Sequence, residues 1–317
     1  MLTERIDTYA ELSGRIASLP DDTVIDLLQR SEEREGWGLT RTIEIAGHPV
    51  FVKTLPVTAL AERDPFGTAN IHRLPVVYQY GVGSAGFGAG RELAAHLTAN
   101  QWVIEEGSEH FPLLYHHRLL PLSGQTRQFD ATQLERYVQY WGGDDAIGSF
   151  VVARQESRRS IVLFLEHIPD VLMDWLPEHQ DDVGALIGQA LEVTDFLRER
   201  NVAHFDANPS NILIDDGRIV FADFGLVLDE TFDLDATEQD FLARHRHFDI
   251  GEFLASLEWP IPGREFERGE AFLAAVEPYR AVIDEMTAVF ERLQRGPTTS
   301  CGYDDERIAR LMADARR

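Results

Sequence analysis

The chain is almost without cysteine and almost without lysine. Its single cysteine, Cys301, has no second thiol to pair with, so an internal disulfide and a cysteine-built zinc site are both excluded. No apolar run approaches the roughly 18 residues of a membrane span, and the opening MLTERIDTYAELSGRI carries acids where a secretion signal has a basic start and an apolar block. These absences lead to the expectation of a cytoplasmic protein. Positive charge is scarce as well: 29 basic residues stand against 54 acids, a net charge of -25. Such a field repels nucleic-acid phosphates and anionic membranes, and no local basic patch offsets it, so neither is an expected partner. Of the 29 basic residues, Lys53 alone is a lysine. A chain that uses arginine everywhere else keeps lysine once, and the two differ where a compact point charge is needed. Lys53 is therefore a candidate functional residue.

What is present is ordinary for a folded chain: 317 residues, 44% hydrophobic and 26% charged, enough for one two-lobed domain or two small ones. Residues 1–30 read as a helical cap, with Ile6, Leu12 and Ile16 before the Pro20 break and Val24, Ile25, Leu27 and Leu28 after it. From Leu39 the period changes to that of strands. LTRTIEI, a turn at Ala46 to Pro49 and VFVKTLPV make a hairpin with Lys53 on its second arm. A helix is expected at RELAAHLTAN, and strands at FPLLYHHRLL and along SFVVARQ to SIVLFLEHI. Between them a polar stretch, about 122–147, reads as an insertion with a short helix at ATQLERYVQYW. The first lobe is thus 31–169. The rest, 170–317, is helical apart from one compact hairpin, NILI, DDGR and IVFADFG. Its helices are expected at VGALIGQALEVTDFLRER, at DIGEFLASLEW, in one long run from EAFLAA to ERLQ, and from Asp304. A sheet-rich first part followed by a helix-rich second implies an α+β fold of two lobes with a cleft between them.

The segment that carries chemistry is HFDANPSNILIDDGRIVFADFG, residues 204–225. Phosphoryl transfer needs a carboxylate to orient and deprotonate the attacking hydroxyl, and oxygen ligands to hold magnesium against the nucleotide phosphates. Asp206 suits the first role, and Asn211 and Asp223 the second. The order of loop acid, loop amide, hairpin and acid-Phe-Gly resembles the catalytic and magnesium loops of the protein kinase-like superfamily, of the bacterial Ser/Thr kinase-like kind. The resemblance implies a small β-rich N-lobe, a helical C-lobe, and the use of ATP with Mg2+. It makes Lys53 the phosphate anchor and supplies its partner from a helix glutamate. That partner is Glu92 in RELAAHL, favoured over Glu62, whose helical run is stopped by Pro65. LFLEHIP resembles the adenine-binding hinge, around Glu166 to Ile168. The match covers Leu39 to about Trp259.

Departures from the family pattern bear on the acceptor. Phe205 stands where many protein kinases have an arginine that receives a phosphorylated loop, and Asn208 where a Ser/Thr kinase has a lysine, leaving Arg244 or Arg246 as substitutes. No Ala-Pro-Glu motif follows Gly225. Glu166 and Asp206 are only 40 residues apart, without the large insertion common in antibiotic kinases, which favours a protein or peptide hydroxyl as acceptor. A small-molecule kinase and a non-catalytic pseudokinase remain the alternatives. The run LVLDETFDLDATEQD, 226–240, carries six acids and no base, so a basic acceptor is the expectation. Two further patterns compete. GVGSAG, 81–86, fits the dinucleotide fingerprint, after the strand-like VVYQY and with Glu105 beyond, but no parallel βαβ series follows. The pairs His116 with His117 and His245 with His247 lack the company of a metal site. A phosphate-covering loop is best sought at Gly36-Trp37-Gly38.

Overall fold

The computed structural model describes residues 2–34, 36–296 and 301–317. It divides into two compact units. The first takes the chain up to Leu74 together with Ala85–His167, and the second takes Pro75–Ser84 with the chain from Ile168 onward.

The first unit begins with helices α1 (Leu2–Ser18) and α2 (Asp21–Arg30), separated by Pro20, whose extended backbone serves as the second helix's N-cap. Leu12 and Ile16, one turn apart, are fully buried. Strands β1 (Leu39–Ile45) and β2 (His48–Val57) pair antiparallel through Ala46-Gly47, both at positive φ, the mirror-image turn that suits a right-twisted hairpin. Helix α3 (Ala89–Glu106) ends on the left-handed Gly107. Then come β3 (Leu114–Leu120), α4 (Ala131–Tyr140), α5 (Asp145–Gln155) and β4 (Arg159–Glu166). The four strands form one antiparallel sheet in the order β1-β2-β4-β3. Its core joins Leu55 and Val57 of β2, Leu93 of α3, Leu114 of β3, and Ile161, Leu163 and Leu165 of β4.

SFVVARQ, expected as a strand, is the body of α5. Its buried residues Ile147, Phe150, Val151 and Arg154 recur at helical intervals, and Asp144 caps the start by accepting from the Ala146 N–H. The adjacent valines suggested a strand; the burial period overrides them. The Gly36–Gly38 segment is held by this same region. Trp37 stacks on Phe129 with centroids 5.6 Å apart, its carbonyl accepts from Arg154 and Thr126, and the Gly36 carbonyl accepts from the Arg127 N–H. A Cβ at Gly38 would lie 2.7 Å from the Thr54 carbonyl oxygen, so close passage of two backbones accounts for that glycine.

The second unit contains β5 (Asp170–Val171), α6 (Leu172–Trp175), α7 (Val183–Glu199), β6 (Val202–Ala203), β7 (Ile212–Asp215), β8 (Arg218–Phe221) and β9 (Leu228–Asp229). Helices α8 (Ala236–Ala243), α9 (Phe248–Ser256), α10 (Glu270–Val276), α11 (Arg280–Gln294) and α12 (Asp305–Ala315) complete it. The β7-β8 hairpin turns through Asp216-Gly217, again both at positive φ. The single long helix expected from EAFLAA to ERLQ is two, because Pro278 lacks the N–H needed there and Glu277–Tyr279 tightens to a 3-10 turn. Every residue of α9 is buried. Every strand pairing among the described residues is antiparallel, so the chain is α+β, with a small sheet and many helices.

Arg5 ties α1 to the end of β4. Its guanidinium donates to both carboxylate oxygens of Glu166, each at 2.8 Å, and to the Phe111 carbonyl at 2.7 Å. Both side chains are largely shielded, so removing one leaves a desolvated charge. Arg5→Ala is expected to cost about 3 kcal/mol, seen as a lower urea midpoint of wild-type slope; an unchanged midpoint contradicts that estimate.

Candidate active site

The residues singled out by the sequence fall into two groups, one in each unit. In the first unit, Lys53 lies in β2 opposite Thr40 of β1 and Leu163 of β4, within a buried run from Val52 to Val57. Its Nζ sits 2.6 Å from Oε1 of Glu92 in the first turn of α3, with 11% and 8% of the side chains exposed. Close packing fixes that turn: a Cβ at Gly90 would run into the Gly67 carbonyl, and Arg91 Nε donates to the Thr68 carbonyl at 2.6 Å. A shielded ion pair between elements so placed costs several kcal/mol to break. Glu62 is exposed in the short 3-10 turn Ala61–Arg63.

Glu166 closes β4, with its carboxylate held by Arg5 and by the Leu113 N–H at 3.1 Å. Its own N–H donates to the Leu113 carbonyl at 2.8 Å. The side chain and amide are therefore committed to structure. The division between units falls at the next peptide, with His167 ending one and Ile168 beginning the other.

In the second unit, the β7-β8 register sets Ile212 opposite Phe221, and the Ala222 N–H donates to the Asn211 carbonyl at 3.0 Å. Asn211 and Asp223 thus leave the same end of one hairpin. Asn211 Nδ2 donates to the Asp206 carbonyl at 3.1 Å, which turns the amide oxygen away as an acceptor. Asp223 is exposed in a left-handed backbone conformation, with Oδ1 accepting from the Gly225 N–H at 3.3 Å. Asn208, at the position where the resembled pattern has a lysine, donates from Nδ2 to Asp206 Oδ1 at 2.8 Å and so orients the acid. His204 Nε2 lies 3.0 Å from the Ala222 carbonyl, its ring set edge-on against Phe221 and Phe224. The substitutes for that lysine are engaged elsewhere: Arg244 pairs with Asp240, and Arg246 donates to Asn201 and to the Arg198 carbonyl.

Sequence reasoning missed the two residues that hold this loop. Asp249 accepts from the N–H of His204 at 2.7 Å and of Phe205 at 2.8 Å, and Glu252 accepts from the N–H of Ala207 at 2.9 Å. Phe205 has φ 62, a conformation that costs roughly 1–3 kcal/mol outside glycine and persists only when its surroundings impose it. Here they do: its amide is gripped by Asp249, and its ring is packed among Phe241, His245 and Phe248. The available signal was two acids three residues apart in the otherwise apolar FDIGEFLASL, a place where an unpartnered charge is not tolerated. Burial raises the Asp249 pKa to about 6, against the lowering effect of the two amides. Burial, then the nearby charges of Asp206 and Asp249, raise that of Glu252 well above the carboxylate range.

The competing patterns resolve into structure. The residues before GVGSAG form a 3-10 turn, Val76–Gln79, and the absence of parallel pairing among the described residues removes the context of a dinucleotide fingerprint. His245 is buried, lowered to about 4 by desolvation, and bonded to Tyr80 and to the Phe241 carbonyl; His247 pairs with Asp305. No group of three His, Cys, Asp or Glu among the described residues is arranged to hold a metal. Of the six acids in 226–240, Asp235 and Glu238 form the capping box of α8, and Asp229 is buried, accepting from Thr231. With Asp240 paired to Arg244 as well, most of the stretch's charge is devoted to local structure, which narrows any electrostatic steering to Glu230 and Asp233. No helix among the described residues is long and apolar enough to cross a membrane.

No protein-family model matches the chain. A stretch of 76 residues is 37% identical to the "Probable serine/threonine-protein kinase YbdM" of Bacillus subtilis (strain 168), spanning 23% of this chain and 28% of that protein. The similarity supports a kinase-like relationship over less than a third of either chain.

An acid whose pKa is higher folded than unfolded binds more protons when folded. Its stabilising contribution is complete in acid and is lost as pH rises through the folded value. Glu252→Gln keeps an acceptor for the Ala207 N–H but cannot ionise. Its stability relative to wild type is therefore expected to rise as pH climbs above the ordinary glutamate value toward the raised value of the folded state, measured by urea unfolding. A difference independent of pH contradicts a raised Glu252.

Proposed function

We propose that this chain is an ATP-dependent phosphotransferase that moves the γ-phosphate of ATP to the hydroxyl of a protein or peptide. The observation that carries the reading is the Asp206, Asn211 and Asp223 arrangement: loop acid and loop amide joined by a hydrogen bond, and the second acid leaving the same hairpin end. The similarity to a protein named as a probable Ser/Thr kinase supports it and favours a protein acceptor over a small molecule.

Each residue then has a task set by its chemistry. The Asp206 carboxylate, oriented through Oδ1 by Asn208, accepts the acceptor's proton as the hydroxyl oxygen bonds to the γ-phosphorus. The bond to the bridging β,γ-oxygen breaks and ADP leaves. Lys53, held by Glu92, places a point charge on the nucleotide phosphates, and backbone groups near Glu166 to Ile168 receive adenine. With the Glu166 N–H already committed to Leu113, that contact falls to the groups beyond it. The donor set fits magnesium, since the Asn211 amide oxygen and the Asp223 carboxylate are hard oxygen ligands. A magnesium ion held there would neutralise phosphate charge as the γ-phosphoryl group transfers. Glu230 and Asp233, exposed in the 226–240 stretch, favour a cationic acceptor.

Two measurements test this. Lys53→Met and Asp223→Asn should each lower transfer of label from γ-labelled ATP by several powers of ten, about 10³ or more, with the circular dichroism of wild type. Lys53→Arg should fail similarly, because a planar fork cannot replace a point donor beside Glu92. Activity within about tenfold of wild type in a folded variant refutes the assignment. ATP and Mg2+ together should raise the melting temperature, linkage at saturation supplying about 2–4 kcal/mol. No shift with any nucleotide would instead favour a non-catalytic relative, and labelled product confined to small molecules would favour a small-molecule kinase.

A further inference from the structure

Between Lys53 and Glu92, both in the first unit, the chain places Pro75–Ser84 in the second. This detour is firmly seated. Tyr78 and Tyr80 are fully buried, and Gln79, 2% exposed, donates from Nε2 to the Leu226 carbonyl just beyond Asp223-Phe224-Gly225. The Tyr80 hydroxyl lies 2.8 Å from His245 Nε2, and its ring packs against Phe241 and Phe248, which also pack on Phe205 of the catalytic loop. Gly81 then meets the loop itself. A Cβ there would collide with Asp206 Oδ1, lie 2.9 Å from the Phe205 carbonyl oxygen and 3.1 Å from Asp206 Cγ. Gly81 is not among the residues at positive φ, so alanine could adopt its backbone; the close approach, rather than the conformation, demands glycine.

We infer that Gly81 is a positioning residue for the phosphotransfer step: its bare backbone packs on the Asp206 carboxylate and fixes the direction in which the acid meets the acceptor hydroxyl. The inference rests on the proposed kinase reading and adds to it a residue outside the 204–225 segment. Three restraints then act on the acid from different sides. Asp249 and Glu252 hold the backbone on either side of it, Asn208 holds Oδ1, and Gly81 closes the approach to that same oxygen. A general base must lie within hydrogen-bond reach of its proton, and a displacement of about 1 Å can cost about 10² in rate. A methyl group at residue 81 forces a shift of that order. Neither Lys53 nor Glu92 is touched, so the effect should fall on turnover and not on nucleotide affinity.

The test is Gly81→Ala, measured for kcat with a peptide or lysate acceptor and for the Kd of ATP with Mg2+, alongside Gly83→Ala. Gly83 has φ 95 and open space where a Cβ would go, so its substitution strains the same turn without reaching Asp206. The expected result is a fall in kcat of about 10² for Gly81→Ala, a Kd for ATP within threefold of wild type, and a kcat for Gly83→Ala within fivefold. If Gly81→Ala fails to fold by circular dichroism, Tyr80→Phe decides. It removes only the hydroxyl bonded to His245 and should lower kcat severalfold with the Kd for ATP unchanged. Wild-type turnover with kcat unaffected by these substitutions, with Gly83→Ala as damaging as Gly81→Ala, or with ATP affinity falling in step with kcat overturns the role of Gly81 alone. A wild-type chain that binds and turns over no ATP overturns the kinase reading, and this inference with it.

Discussion

The grip of two buried carboxylates on the backbone of one loop is the interaction on which the rest of the candidate site depends. Asp249 and Glu252 stand one turn apart on α9, a helix otherwise given over to apolar burial, and between them they accept from the amides of His204, Phe205 and Ala207. Burying acids is costly unless they are hydrogen-bonded, and these recover part of that cost from amides that would otherwise be buried without partners. In return they hold Phe205 in a left-handed conformation, and the next side chain, Asp206, is half-buried where Gly81 passes close to it. The downstream contacts depend on this geometry: Asn211 to the Asp206 carbonyl, His204 to the Ala222 carbonyl, and Asn208 to the Asp206 carboxylate.

Two positions at which the chain differs from the protein-kinase pattern it resembles have physical reasons of their own. Phe205, in place of an arginine, is a fully buried ring in a cluster with Phe241, His245 and Phe248, so the position anchors the loop by packing instead of by a charge open to phosphate control. Asn208, in place of a lysine, points its amide at the acid beside it. The solitary lysine is paired, shielded from solvent and set in the middle of the sheet, where a second cation type would have no equivalent partner geometry.

Much of this was legible in the sequence because local signals agreed with tertiary ones. Both hairpins announced themselves by a glycine in a two-residue turn, α3 and α7 by their apolar spacing, and the Lys53 and Glu92 pair by the proline that stops the competing helix. What was hidden lay where the two kinds of signal diverge. SFVVARQ has strand-forming residues but a helical burial period, and the 270–294 helix breaks at a proline. Asp249 and Glu252 went unremarked within DIGEFLASLEW, because their apolar setting is a faint signal and only tertiary packing shows that all of α9 is buried. The acidic run after Gly225 looked like a uniform field, although Asp235 and Glu238 are spent on a helix cap. Gly81 was visible only as part of a misleading glycine pattern, since its reason is a contact with a residue far along the chain.

The central claim is that Asp206, held in this way, directs an acceptor hydroxyl to the γ-phosphate of ATP. Phosphorus NMR of the chain incubated with ATP, Mg2+ and a hydroxyl-bearing peptide library follows that event directly, beside an Asp206→Asn chain of unchanged fold. The account predicts conversion of ATP to ADP with a matching phosphomonoester signal in wild type, and its loss by about 10² or more in the variant. ATP left unconsumed by wild type, or equal conversion by Asp206→Asn, contradicts it.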